Sequence, residues 1–255
     1  MLVTRPQEQA APFAAALAEA GASPIVYPTI ALAPPPSWQP LDDALARLAD
    51  YGWVIFTSPS AASFTLDRAD ARGLGVAAFA GVRVAAVGDQ TARALRARGL
   101  TVDLVPAADQ QRQEGLLDGM LAALRAPAPA TPGQQARPRS PILFPQALGG
   151  RELLREQLAA AGHAVQVVPV SQTLARDLRD APPPFDVATF ASPSALRAFV
   201  EGLGARALVA ALVAVIGPTT AAEASALGVR VDAMPATPSV AALVQALVDL
   251  RQRAR

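Results

Sequence analysis

Val54-Ile55-Phe56-Thr57-Ser58-Pro59-Ser60-Ala61-Ala62-Ser63-Phe64 reads VIFTSPSAASF, and Ala188–Leu196 reads ATFASPSAL far downstream. In each copy a β-branched and aromatic run meets Ser-Pro-Ser, and a helical pattern follows. Such a run suits a buried strand of a parallel sheet. Ser58 and Ser192 suit the N-cap, and the proline after each suits the first helical position. Each copy therefore predicts a strand that turns sharply into a helix. The unpaired N–H groups at such a helix start, together with the macrodipole, favour an anion. Capping alone accounts for either serine taken singly; the repetition asks for more.

Other echoes keep the same order in the two halves. Leu17-Ala18-Glu19-Ala20-Gly21 leads to Ile25-Val26-Tyr27-Pro28, and Leu158-Ala159-Ala160-Ala161-Gly162 leads to Val167-Val168-Pro169. Val84-Ala85-Ala86-Val87-Gly88 precedes Thr91, as Val213-Ala214-Val215-Ile216-Gly217 precedes Thr220. Gly99-Leu100-Thr101-Val102-Asp103 is matched by Gly228-Val229-Arg230-Val231-Asp232. Alternating strands and helices imply parallel sheets covered on both faces. Gly21, Gly99, Gly162 and Gly228 sit where helices should stop in the left-handed conformation. The fold class is α/β, with two pseudo-repeated α/β domains. Ligands of such sheets bind beyond the carboxyl ends of the strands, where both Ser-Pro turns and both Gly-to-Thr turns fall.

Proline triplets at Pro34-Pro35-Pro36 and Pro182-Pro183-Pro184 each follow shortly on a second strand. Prolines resist helix and sheet and stiffen a connector. Read as interdomain crossings, they give one discontinuous domain over 1–31 plus 173–255 and another over 36–170. A tract at about 126–141, rich in Pro, Ala, Gln and Arg, reads as a flexible surface insertion.

Composition removes whole classes of chemistry. The 255 residues are 52% hydrophobic, enough for two ordinary cores, and the net charge is +1, too little for an electrostatic grip on nucleic acid. Cysteine is absent, so disulfides, zinc thiolates, iron–sulfur clusters and thiol nucleophiles go together. Lysine is absent too, which rules out a Schiff base and a Walker-A loop. The one histidine, His163, sits in a turn position where the first half has Ala22, so no histidine metal site or Ser-His pair is expected. No signal-peptide pattern opens the chain, and the apolar stretches are broken by Arg, Glu or Pro. A cytoplasmic protein without membrane contact is the expectation.

The chain resembles the uroporphyrinogen-III synthase family. The carriers are LVTRP at Leu2–Pro6, VIFTSPSA at Val54–Ala61, VAAVGDQTARAL at Val84–Leu95, GGRELLREQLAAAG at Gly149–Gly162, TFASPSALRAF at Thr189–Phe199 and AVIGPTTAAEA at Ala214–Ala224. The resemblance implies two α/β domains joined by two extended crossing strands with a cleft between them. It implies a lyase without cofactor or metal that cyclises hydroxymethylbilane, a linear tetrapyrrole with many carboxylates. The ring A hydroxymethyl leaves as water and ring D is inverted through a spiro intermediate. Such a reaction needs positioning and preorganised polar groups more than a nucleophile.

By this matching, Thr219, Thr220 and Ser171 carry catalysis, and Ser58, Thr91, Ser192, Arg5 and Arg151 bind substrate. The family commonly places a Tyr in a V-Y-x-T context after the second crossing strand; here Val170-Ser171-Gln172-Thr173 puts Ser171 in that place. For Arg5 and Arg151, a solvated or structural ion pair weighs equally with a substrate contact. The expected partners are the substrate and, transiently, the preceding pathway enzyme handing it over, and the chain is expected to be a monomer. Two other readings share the architecture: a non-catalytic two-domain cleft-binding protein for a small anionic ligand, and a degenerate, inactive synthase homologue.

Overall fold

In the computed structural model of the chain, residues 1–126 and 141–253 are described. The tract expected to be a surface insertion lies, apart from its edges, outside the described residues. The chain divides into two compact units, Met1–Leu32 with Thr173–Arg255, and Ala33–Gln172.

The chain opens with β1 (Leu2–Val3), α1 (Gln7–Glu19) and β2 (Ile25–Val26), and β3 (Ile30–Ala33) runs to the first boundary. The second unit continues with α2 (Gln39–Ala46), β4 (Trp53–Phe56), α3 (Pro59–Ala71), β5 (Arg83–Ala86), α4 (Asp89–Ala97) and α5 (Gln113–Arg125). It closes with β6 (Ile142–Ala147), α6 (Leu153–Ala160) and the long β7 (Val165–Ala175), within which the second boundary falls. The chain then completes the first unit with β8 (Val187–Phe190), α7 (Pro193–Leu203), β9 (Leu212–Val215), α8 (Pro218–Ala226) and α9 (Val240–Arg253).

The first unit's sheet has the order β2-β1-β8-β9, parallel throughout. The second runs β3-β7-β6-β4-β5, with β7, β6, β4 and β5 parallel. Each is extended by an isolated parallel bridge, Ala214 to Ala233 in the first and Ala85 to Leu104 in the second. The repeat is thus exchanged: in each sheet, the first two strands of one sequence half pair with the later strands of the other.

Alternation along the strands splits the second unit's core in two. Val54, Phe56, Val84 and Leu143 pack with α2, α3 and α4 residues such as Leu41, Leu66 and Leu95. Trp53, Ile55, Ile142 and Phe144 face the other way, onto Leu116, Met120 and Leu154 of α5 and α6. The first unit repeats the arrangement. Leu2, Phe190 and Val215 pack with α7 residues Leu196 and Phe199, while Val3, Val187 and Ala214 meet Phe13 of α1 and Leu243 of α9. β4 and β8 are buried along their whole length, which is why they read as continuous apolar runs.

The four glycines expected to stop helices all have positive φ, from +67° at Gly228 to +87° at Gly99 and Gly162. Each is followed by a residue whose N–H reaches back to the helix, for example Leu100 to the Leu95 carbonyl at 3.1 Å. The matched Asp103 and Asp232 also find a shared role. Asp103 Oδ2 accepts the Val84 N–H at 2.7 Å and Asp232 Oδ2 that of Val213 at 2.8 Å, tying the last strand's residues to β5 and β9.

One boundary element differs from expectation. Pro34-Pro35-Pro36 does follow β3, but Pro182-Pro183-Pro184 lies inside the first unit, ahead of β8. The second crossing is β7 itself, which runs as one strand through Pro169 from Val165 to Ala175.

Candidate functional site

The carboxyl edge of the first unit's sheet carries three adjacent turns. Arg5 follows β1, Ser192 follows β8, and Gly217-Pro218-Thr219-Thr220 follows β9. Buried threonines hold this edge. Thr4 Oγ1 donates to the Thr189 carbonyl at 2.7 Å, and Thr189 Oγ1 to that of Leu2 at 2.8 Å. Thr29 Oγ1 donates to the Ala195 carbonyl in the first turn of α7 at 2.8 Å, anchoring the Ser-Pro-Ser turn.

Ser192 is extended (φ −157°, ψ 153°) and its Oγ accepts the Ala195 N–H at 3.2 Å. Its Oγ also lies 3.2 Å from that of Ser194. Gly217 takes fully extended backbone that any residue could adopt, so space rather than φ calls for glycine. A Cβ there would lie 3.0 Å from the Pro238 ring. Beyond it the Gly217 carbonyl accepts the N–H groups of Thr220 and Ala221, both at 3.1 Å. Thr219 is exposed, whereas Thr220 is fully buried and, among the described residues, its Oγ1 has no hydrogen-bond partner. A buried hydroxyl without a partner costs about 1–3 kcal/mol, so it asks for an explanation.

Arg5 is half-buried, with its guanidinium 3.3 Å from Gln9 Oε1. Among the described residues no carboxylate pairs with it. Burial pulls Arg5 below its usual pKa, yet an arginine guanidinium stays charged at neutral pH. It is a cation left ready for an anion that the unit does not supply.

The second unit's carboxyl edge matches in backbone and differs in charge. Ser58 has φ −158° and ψ 152°, and its Oγ accepts the Ala61 N–H at 3.0 Å. At Gly88 a Cβ would meet Gln111 Oε1 at 2.8 Å, and that oxygen accepts the Asp89 N–H at 3.0 Å. Thr91 is buried in the first turn of α4. Ser171 is buried at the irregularity where β6 meets β7, and its carbonyl accepts the Leu148 N–H at 2.7 Å. Arg151 does not stand free: exposed itself, it pairs at 2.6 Å with the partly exposed Glu114 in the first turn of α5. Backbone N–H bonding at the helix start, then Arg151, holds the Glu114 carboxyl below its usual range.

Thr219, Thr220, Ser192 and Arg5 thus gather on one unit's sheet edge, and Ser58, Thr91, Ser171 and Arg151 lie on the other's. Sequence reasoning passed over Gln146, Gln113 and Thr29. Gln146 is buried near the carboxyl end of β6, where a Cβ on Gly150 would sit 2.6 Å from its Oε1. Gln113 Oε1 is buried at the start of α5 without a partner among the described residues. Gln146 lies in β6, the counterpart of β1, but no repeated sequence landmark marks it or Gln113. Tyr27 donates its hydroxyl to the Asp180 carbonyl at 2.7 Å. Among the described residues no helix is long and apolar enough to cross a membrane.

The folds of two solved structures resemble this one. A mutant uroporphyrinogen III synthase of Thermus thermophilus aligns with TM-score 0.58 and 20% identity, covering 99% of this chain and 98% of that one. The uroporphyrinogen-III synthetase of Helicobacter pylori aligns with TM-score 0.62 and 17% identity over 90% and 94%. Uroporphyrinogen-III synthase of Synechococcus elongatus is 35% identical over 176 residues, 68% of this chain and 60% of that protein. That of Chlorobaculum parvum is 28% identical over 246 residues, 92% of each. A porphyrin biosynthesis protein HemD of Ruminiclostridium josui is 35% identical over 106 residues, of which this chain spans only 21% of the length. The family model described as uroporphyrinogen-III synthase HemD matches residues 11–245. With the sheet edges, their turns and these matches in agreement, the chain belongs to the uroporphyrinogen-III synthase family.

Proposed function

We propose that the protein is a uroporphyrinogen-III synthase that cyclises hydroxymethylbilane with loss of water and inversion of ring D. The observation that carries this reading is the buried hydroxyl of Thr220 at a helix start, without a partner among the described residues, on the same sheet edge as an Arg5 that no described carboxylate pairs with. Both are groups prepared for a polar, anionic ligand. Hydroxymethylbilane offers acidic arms, and its hydroxyl must depart with a proton donor or a hydrogen-bonded water nearby. Helix starts and hydroxyl donors suit both tasks.

In this reading Thr219 and Thr220 do most of the positioning, while Ser58, Thr91, Ser192 and Arg5 hold acidic arms. Ser171, too short to replace a phenol directly, acts through a bridging water. Arg151 contributes only by exchanging Glu114 for substrate. The enzyme works as a cytoplasmic monomer that takes its unstable substrate from the preceding pathway enzyme. A purely binding role is less well supported, because the family match runs through both halves of the repeat. Generating hydroxymethylbilane in the presence of the protein and separating the product isomers tests the reading. Product that is mainly the type III isomer is expected. Type I isomer formed at the unassisted rate would overturn it.

A further inference from the structure

The two sheets can be superposed residue by residue through their own pairings. Val54 and Ala188 stand equally far before the repeated Ser-Pro-Ser. Val54 pairs with Leu143 on β6, and Ala188 pairs with Leu2 on β1. Leu143 therefore matches Leu2, and counting forward equally from each, Gln146 matches Arg5. The residue that echoes Arg5 is thus Gln146, not Arg151, which lies further on and is paired with Glu114.

From this we infer that Gln146 is a further substrate-binding residue, and that the two units grip acidic groups unequally: the first through the Arg5 charge, the second through the neutral Gln146 amide. Gln146 is only 5% exposed, so an uncompensated charge in its place would be costly, whereas an amide there can donate without one. Gly150 keeps the space over its Oε1 open, because any larger residue would press on the amide. Arg5 is less buried and retains its charge at neutral pH.

This inference rests on the proposed reaction, so the wild-type protein is measured alongside every variant. The experiment is steady-state conversion of enzymatically generated hydroxymethylbilane across a range of ionic strength, with Tm as the folding control. For Arg5→Gln we expect KM to rise about tenfold at low salt, kcat to change little, and the salt dependence of KM to flatten. Arg5→Lys restores the salt dependence and part of KM. Gln146→Leu raises KM several-fold, roughly the loss of one neutral hydrogen bond, without altering the salt dependence. Gln146→Glu raises KM further, and added salt brings it back, which a merely structural lesion would not do. Wild-type turnover together with an unchanged KM and salt dependence in Arg5→Gln overturns the inference. So does a folded Gln146→Glu protein whose KM matches wild type at all salt concentrations. Absence of wild-type turnover would instead count against the proposed reaction.

Discussion

Replacing Thr220 by Val separates stability from function at a single atom. Thr220 is completely buried, and among the described residues its Oγ1 has no hydrogen-bond partner. Valine has nearly the same shape and a similar helix propensity, so packing and backbone are left alone. The unsatisfied hydroxyl costs about 1–3 kcal/mol, and allowing for incomplete relief Thr220→Val should gain about 1 kcal/mol. For a chain of this size that is an increase in Tm of roughly 2–4 °C, read by calorimetry without substrate. If the hydroxyl meets the substrate, the same change removes a preorganised group and slows type III formation by about tenfold to a thousandfold. A more stable and much slower enzyme is an uncommon combination, since most substitutions destabilise. A lowered Tm with an unchanged rate would refute the reasoning, because the hydroxyl would then be serving the fold.

Two further substitutions test how the turns are built. Ser192→Ala and Ser58→Ala each remove an N-cap bond and should cost about 1 kcal/mol, measured as a loss of Tm; no loss at either site would deny the capping role. Gly217→Ala should cost about 1–3 kcal/mol although its backbone is unstrained, because the new methyl meets the Pro238 ring; a neutral result would show that this loop yields freely.

Much of the fold could be read from repetition. Ser58 and Ser192 were recognisable as caps because a hydroxyl before proline at the end of an apolar run has few other uses, and their backbone angles agree within a degree. The helix-stopping glycines were readable for a similar reason: positive φ is a strong local demand. The second crossing was harder. Pro182-Pro183-Pro184 gives a loud local signal, but the strand pairing of β7 decides where the chain crosses, and pairing is not a local property. Gln146 escaped for the same cause, since its equivalence to Arg5 exists only through the β1–β8 and β4–β6 registers. Thr4, Thr29 and Thr189 look like ordinary β-formers in sequence; only the fold turns their hydroxyls onto neighbouring carbonyls. The unpaired state of Thr220 was likewise invisible, because a missing partner is a fact about everything around it.

The most direct measurement is the product isomer ratio of a Thr219→Ala, Thr220→Ala double variant while hydroxymethylbilane is supplied by its producing enzyme. If the threonine turn at the end of β9 positions the substrate, type III formation slows and the spontaneous type I isomer accumulates, with Tm near that of wild type. A variant that keeps the wild-type rate and isomer ratio would place the chemistry elsewhere and contradict the account.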